Sequence, residues 1–289
     1  MTIAFLGTGL MGTGFVKRMR TQGLSVRVWN RSTDKAQALA AVGAQPCSSA
    51  ADAVKGVERV HLMLSDDEAV DGVLASITPV IGPQTWIIDH TTTAPTPTAA
   101  RAARMKSLGL RYVHAPVFMG PANAEAATGV MLLCGEAQYR SAVTPILQQM
   151  TTKVVDLGDA PDRAAAFKLF GNLAIIGLMG VLGDVARLAN AVGMSAAEAM
   201  SLFEHFNPGA TLPTRAAKVA DGPYRPPSFE VSMARKDVRL MIEEAQRHGV
   251  SLAVMPAIMS LFDAAVARGE SALDSSAAMR FPIKPVAGG

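Results

Sequence analysis

The sequence predicts a doubly wound α/β sheet followed by an all-helical half joined to it by a long interdomain helix. Three observations carry this prediction. Strand-like apolar runs alternate with helix-like stretches through residues 1–160, no convincing strand follows, and a glycine fingerprint opens the chain. The 289 residues are 49% hydrophobic and 18% charged, enough for two domains with cores of their own.

The first strand, Ile3-Ala4-Phe5-Leu6, runs into Gly7-Thr8-Gly9-Leu10-Met11-Gly12. This G-x-G-x-x-G spacing fits a strand, a tight turn and a helix start, the opening of a Rossmann-type domain. Gly7 permits the turn, Gly9 leaves room for a pyrophosphate, and Gly12 lets the helix pack on its strand. The unpaired N–H groups of the helix N-terminus, with its dipole, favour a bound phosphate. Phe15, Val16 and Met19 face inward on that helix, which ends near Gly23. Ser25–Trp29 alternates as the second strand and ends in Asn30-Arg31-Ser32-Thr33. An NAD-selective domain would carry an acid here, on the ribose 2′-OH. Instead Arg31 offers a planar fork and Ser32 and Thr33 offer hydroxyls to a 2′-phosphate, so the expected cofactor is NADP(H). The competing reading is a solvated Arg31 and a Ser32 that only caps the next helix.

Residues 59–64, 86–89, 110–113, 130–133 and 153–157 read as further strands, with a helix over 98–108. The pattern changes after Gly158-Asp159-Ala160-Pro161, which places an NADP-binding domain at 1–160 and a helical substrate and dimerisation domain at 161–289. A helix of some thirty positions spans 162 to about 192, followed by helical stretches near 195–205, 211–220, 232–248 and 252–268. The run from Leu173 to Gly180 is apolar on every side, so it should be buried all round, in a core and at a subunit interface. The 16 methionines suit adaptable core filling.

Basic residues occur only in isolated pairs, which argues against nucleic acid as a partner. Cys47 and Cys134 lack metal-ligand spacing. The longest apolar run, 173–183, is too short to span a bilayer, and no signal peptide precedes the fingerprint. A cytoplasmic protein with no membrane or metal partner is expected.

Lys168 and Asn172 lie four apart and share one helix face among apolar neighbours. Desolvation lowers a lysine's pKa and suits it to proton transfer near neutral pH. A snorkelling lysine and a backbone-bonded asparagine would give the same spacing.

Taken together, these motifs resemble those of the β-hydroxyacid dehydrogenase family, and the resemblance spans essentially the whole chain. It rests on the fingerprint with Leu10 and Met11, on Leu64-Ser65-Asp66, and on Asp89-His90-Thr91-Thr92-Thr93-Ala94-Pro95. It also rests on Ala115-Pro116-Val117, on Lys168-Leu169-Phe170-Gly171-Asn172, and on the stretch from Phe229 to Lys236-Asp237. The resemblance implies reversible hydride transfer between NADP(H) and a carbonyl or alcohol carbon, in a homodimer or higher oligomer. Lys168 would be the acid–base group and Asn172 its orienting partner. Leu64, Ser65, Asp66, Thr92 and Lys236 would lie at the cofactor. Val117, Phe118, Met119 and Gly120 would line the substrate pocket together with Lys168 and Asn172.

The chain departs from the family in that pocket. A carboxylate-gripping motif of roughly D-A-P-V-S-G-G is replaced by His114-Ala115-Pro116-Val117-Phe118-Met119-Gly120, which makes the pocket more apolar. An imine reductase or reductive aminase on the related fold shares the Asn-Arg-Ser signature, but that class generally lacks the lysine. A non-catalytic NADP-binding module is the third reading, and Lys168 argues against it too.

Overall fold

The computed structural model describes residues 1–281. Its contacts divide the chain into two compact units, which meet in sequence at Leu173 and Ala174.

The first unit begins with strand β1 (Thr2–Leu6), helix α1 (Leu10–Thr21), β2 (Ser25–Trp29), α2 (Thr33–Gln37), β3 (Gln45–Pro46) and α3 (Ala50–Val54). It continues with β4 (Arg59–Leu62), α4 (Asp67–Ile77), β5 (Trp86–Asp89), α5 (Pro95–Ser107) and β6 (Arg111–His114). These six strands form one parallel sheet in the order β3-β2-β1-β4-β5-β6. Side chains alternate across it, as a period of two requires. Ile3 and Phe5 join a core with Phe15, Val16 and Met19, while Ala4 and Leu6 join one with Leu62, Leu74 and Ile77. Both faces are therefore buried, which is why the strands read as continuous apolar runs.

The series of strands does not close as the sequence suggests. β7 (Val117–Phe118), β8 (Val130–Leu133) and β9 (Lys153–Asp156), with α6 (Pro121–Ala126) and α7 (Ala137–Leu147) between them, form a separate three-stranded sheet. β7 is antiparallel to β8, and β8 is parallel to β9. Pro116 lacks an N–H, and its carbonyl accepts from Leu132 at 2.9 Å, which brings β8 beside β7. A two-residue strand has too few positions for periodicity to reveal it.

Helix α8 (Arg163–Ala191) runs from the first unit into the second. By length and composition it would pass as a membrane span, although its longest uninterrupted apolar run is short. Expected to be buried all round, it instead leaves Leu173 77% and Ile176 66% exposed in the single chain. In the second unit Asp184 ties α8 to its neighbours. Buried, it accepts the N–H groups of Ala253, Val254 and Met255 at 2.6, 2.8 and 3.1 Å. Burial pushes its carboxyl up, but those donors outweigh burial and hold it below its ordinary value. The unit adds α9 (Ala196–Met200), α10 (Leu212–Asp221), α11 (Val231–Arg247) and α12 (Met255–Ala267), and has no strand among the described residues. Val231, Ala234, Val238, Phe262 and Ala265 form its core.

Candidate active site

The sheet reverses direction of winding between β1 and β4, and a groove of about 730 Å³ opens at the carboxyl ends of β1, β2 and β4. Ligands of doubly wound sheets bind at such a switch point. Gly7, Gly9, Leu10, Met11, Gly12, Asn30, Arg31, Ser32, Leu64 and Ser65 all line it. Gly7 has φ +99°, and a Cβ on Gly12 would fall on the Gly7 carbonyl oxygen. A Cβ on Gly9 would meet nothing within 4 Å, so its open side faces space a ligand can take. The Thr8 hydroxyl is buried without a partner, and its amide donates to Asn30 Oδ1 at 3.0 Å. Asn30 in turn donates to the Ser32 carbonyl at 3.1 Å, bracing the two loops against each other. A helix N-terminus at the end of β1 with the Arg31 cation across the groove fits a dinucleotide phosphate.

Lys35 lines the same groove. No motif marks it in the sequence, although it lies one helical turn beyond Ser32 and so faces the same way. Asp66 does not line the groove. It caps α4 by accepting from Ala69 N at 2.8 Å. That bond, the Ser65 hydroxyl and the nearby Arg31 charge hold its carboxyl below the ordinary range. Thr92 is exposed on the loop after β5, and Lys236 lies on α11 in the second unit, paired with Asp237 at 2.9 Å.

Buried polar groups fix the loops around the groove. The Leu64 amide donates to Thr91 Oγ1 at 3.0 Å, joining the loops after β4 and β5. Arg101 is fully buried and holds Asp67 and Asp71 at 2.8 Å each, while Asp67 accepts the Ala94 amide at 2.9 Å. Arg59 Nε lies 3.1 Å from His61 Nε2, His61 Nδ1 lies 3.0 Å from His90 Nε2, and His90 Nδ1 lies 2.7 Å from the Ala115 carbonyl. Arg59 can only donate and a carbonyl can only accept, so both rings are neutral and every hydrogen points from Arg59 toward Ala115. Burial keeps them neutral: it pushes His61 well below its ordinary pKa and His90 down to about 4. His114, where the family has an aspartate, is also buried, with Nε2 2.9 Å from the Thr91 carbonyl.

The second cluster lies on α8. Ala164 is buried against Leu132 and Cys134, and Lys168 follows one turn later on the same face. Phe118 of β7 packs on this cluster. Its ring centroid lies 4.4 Å from Lys168 Nζ, and its edge fills the space over Gly171. Burial lowers the pKa of Lys168. Asn172 is partly exposed one turn further on. Val117 is buried in the core, and Gly120 starts α6, its amide donating to Asn123 Oδ1 at 2.9 Å. The Met119 side chain lies against Gly129.

Residues 2–158 match the family model for the NAD binding domain of 6-phosphogluconate dehydrogenase. Residues 163–281 match that for the NAD-binding of NADP-dependent 3-hydroxyisobutyrate dehydrogenase. The chain is 28% identical over 280 residues to 3-sulfolactaldehyde reductase of Escherichia coli, covering 95% of this chain and 93% of that protein. Among solved structures it resembles a reductive aminase from Aspergillus terreus in complex with NADPH and ethyl levulinate. The TM-score there is 0.87 at 25% identity, over 96% of this chain and 98% of that one. An imine reductase from Myxococcus stipitatus in complex with NADP+ shares the fold, with TM-score 0.88 at 19% identity over 97% and 99% of the two chains. The doubly wound sheet, the groove and both matches define an NADP(H)-dependent oxidoreductase. The chain belongs to the β-hydroxyacid dehydrogenase family.

Proposed function

We propose that this oxidoreductase reduces a small carbonyl compound, and oxidises the matching alcohol, with Lys168 as the acid–base group. The observation that carries the reading is a half-buried ammonium on α8 whose pKa is lowered by burial and which forms no ion pair with the described residues. When bound, NADP(H) supplies or accepts the hydride. Arg31, Ser32 and Lys35 would hold its 2′-phosphate, and the Gly7–Gly12 turn with Thr8 its pyrophosphate. Lys168 gives its proton to the developing alkoxide during reduction and takes the hydroxyl proton during oxidation. Asn172 orients the lysine or the substrate oxygen. Thr92 and Lys236 are assigned to the nicotinamide side.

A positioned acid–base group contributes roughly 10²–10⁴-fold to rate. Lys168→Ala is therefore expected to lower turnover by about that factor while NADPH binding, followed by its fluorescence, stays as in the wild type. Near-wild-type turnover would refute the assignment.

The domain boundary is taken at the loop 158–162, between the two stretches matched by the family models. The working form is taken to be cytoplasmic and a homodimer or higher oligomer; the apolar face of α8, which needs cover, supports the oligomer. A second reading is imine reduction, favoured by the imine reductase and reductive aminase folds it resembles. Turnover of a cyclic imine with NADPH, and none of a ketone or aldehyde, would select it.

A further inference from the structure

We propose that Phe118 sets the substrate class: the carbonyl compound reduced here carries an uncharged, apolar substituent on its reacting carbon, not one that bears a carboxylate or sulfonate. This rests on the assignment of Lys168 as proton donor.

The ring of Phe118 covers one side of the Lys168 ammonium, with its centroid 4.4 Å from Nζ. The negative face of an aromatic ring attracts a cation at that distance. It repels an anion in the same place. The ring holds its position because Gly171 has no side chain, since a Cβ there would overlap the ring edge. The adjoining backbone has little to offer an anion. The Gly120 amide is already engaged by Asn123 Oδ1 at 2.9 Å, and the Met119 side chain packs on Gly129. A substrate carboxylate would have to compete for Lys168 itself. An ammonium that pairs with the carboxylate is withdrawn from the carbonyl oxygen it must protonate. Burying an unpaired anion against Phe118 is costly, whereas an alkyl or aryl group gains by contact with the ring.

The test is a comparison of kcat/KM with NADPH for isobutyraldehyde and benzaldehyde against succinic semialdehyde, using the purified full chain. The wild type is expected to favour the neutral aldehydes by about tenfold or more, the scale on which pocket contacts discriminate. Phe118→Ser and Gly171→Ala should each shrink that ratio by about tenfold, the first by removing the ring and the second by displacing it. Alanine is the better helix former, so the second variant keeps α8 intact. Unchanged NADPH fluorescence titrations identify variants that remain folded. In the wild type the ε-methylene protons of Lys168 should also show an upfield ring-current shift that Phe118→Ser abolishes. A wild-type preference for succinic semialdehyde, no turnover of either neutral aldehyde, or a ratio unmoved in both variants would overturn the proposal. Lys168→Ala separates the two claims. Retained turnover of all three aldehydes would refute the acid–base role, while the ratio across the Phe118 variants still decides the specificity claim.

Discussion

At the scale of single residues, the proposed cofactor site turns on Arg31 and Lys35, which both line the groove. A charge-assisted hydrogen bond to phosphate contributes roughly 1.5–3 kcal/mol, or about 10- to 150-fold in affinity. Arg31→Ala should lower the preference for NADPH over NADH by that order, read from the Michaelis constants for both cofactors, and unchanged selectivity would remove Arg31 from the site. The fingerprint and the Asn30-Arg31-Ser32 ending were legible because the chemistry of a phosphate turn is local in sequence. The role of Gly171 was not. Between Lys168 and Asn172 it reads as an interruption in an apolar helix, and its purpose depends on Phe118, which reaches it from β7. Thr8 was likewise hidden within the fingerprint as one of its variable positions.

At the scale of elements, the parallel strands were legible from apolar runs and the turns between them. The separate three-stranded sheet was not, because β7 has only two residues and pairs with β8 through a long-range contact. The buried His61 and His90 link β4 to β5 and to the Ala115 carbonyl, so their titration is a property of the sheet. His90 has a folded-state pKa of about 4, below its ordinary value near 6.5, and His61 is shifted in the same direction. Between those values the unfolded chain binds more protons than the folded one. The stability these rings contribute is therefore complete above pH 6.5 and lost as pH falls toward 4. Thermal denaturation between pH 7 and pH 4 should show this loss, of order 3 kcal/mol for His90 at about 1.4 kcal/mol per pH unit. His90→Gln should flatten the slope. An equal slope in that variant would place the acid sensitivity elsewhere.

At the scale of the whole molecule, α8 has two environments along its length. Lys168 is half-buried beside Phe118, Asp184 is buried under the α12 N-terminus, and the apolar stretch between them is open. Exposed apolar surface of this extent marks an interaction site, and a second copy of the chain is the simplest cover, as most homo-oligomers are closed and symmetric. Sedimentation velocity should find a dimer or larger species, and Ile176→Asp should shift it toward monomer. A wild-type monomer at micromolar concentration would refute this. The sequence reached the same helix by its apolar character and placed it correctly, but burial is a property of an assembly, and composition alone does not distinguish a chain's own core from a partner's surface.

The Arg59–His61–His90–Ala115 series has a consequence for proton supply. Its hydrogens all point one way, and the rings stack between Phe5 and Phe15. Carrying a proton along it would require an imidazolium in a dry interior, followed by reversal of every donor in turn. The series therefore insulates the sheet instead of conducting through it. On the proposed mechanism Lys168 would then recover its proton from water reaching α8, and the interior of the sheet would stay electrically quiet.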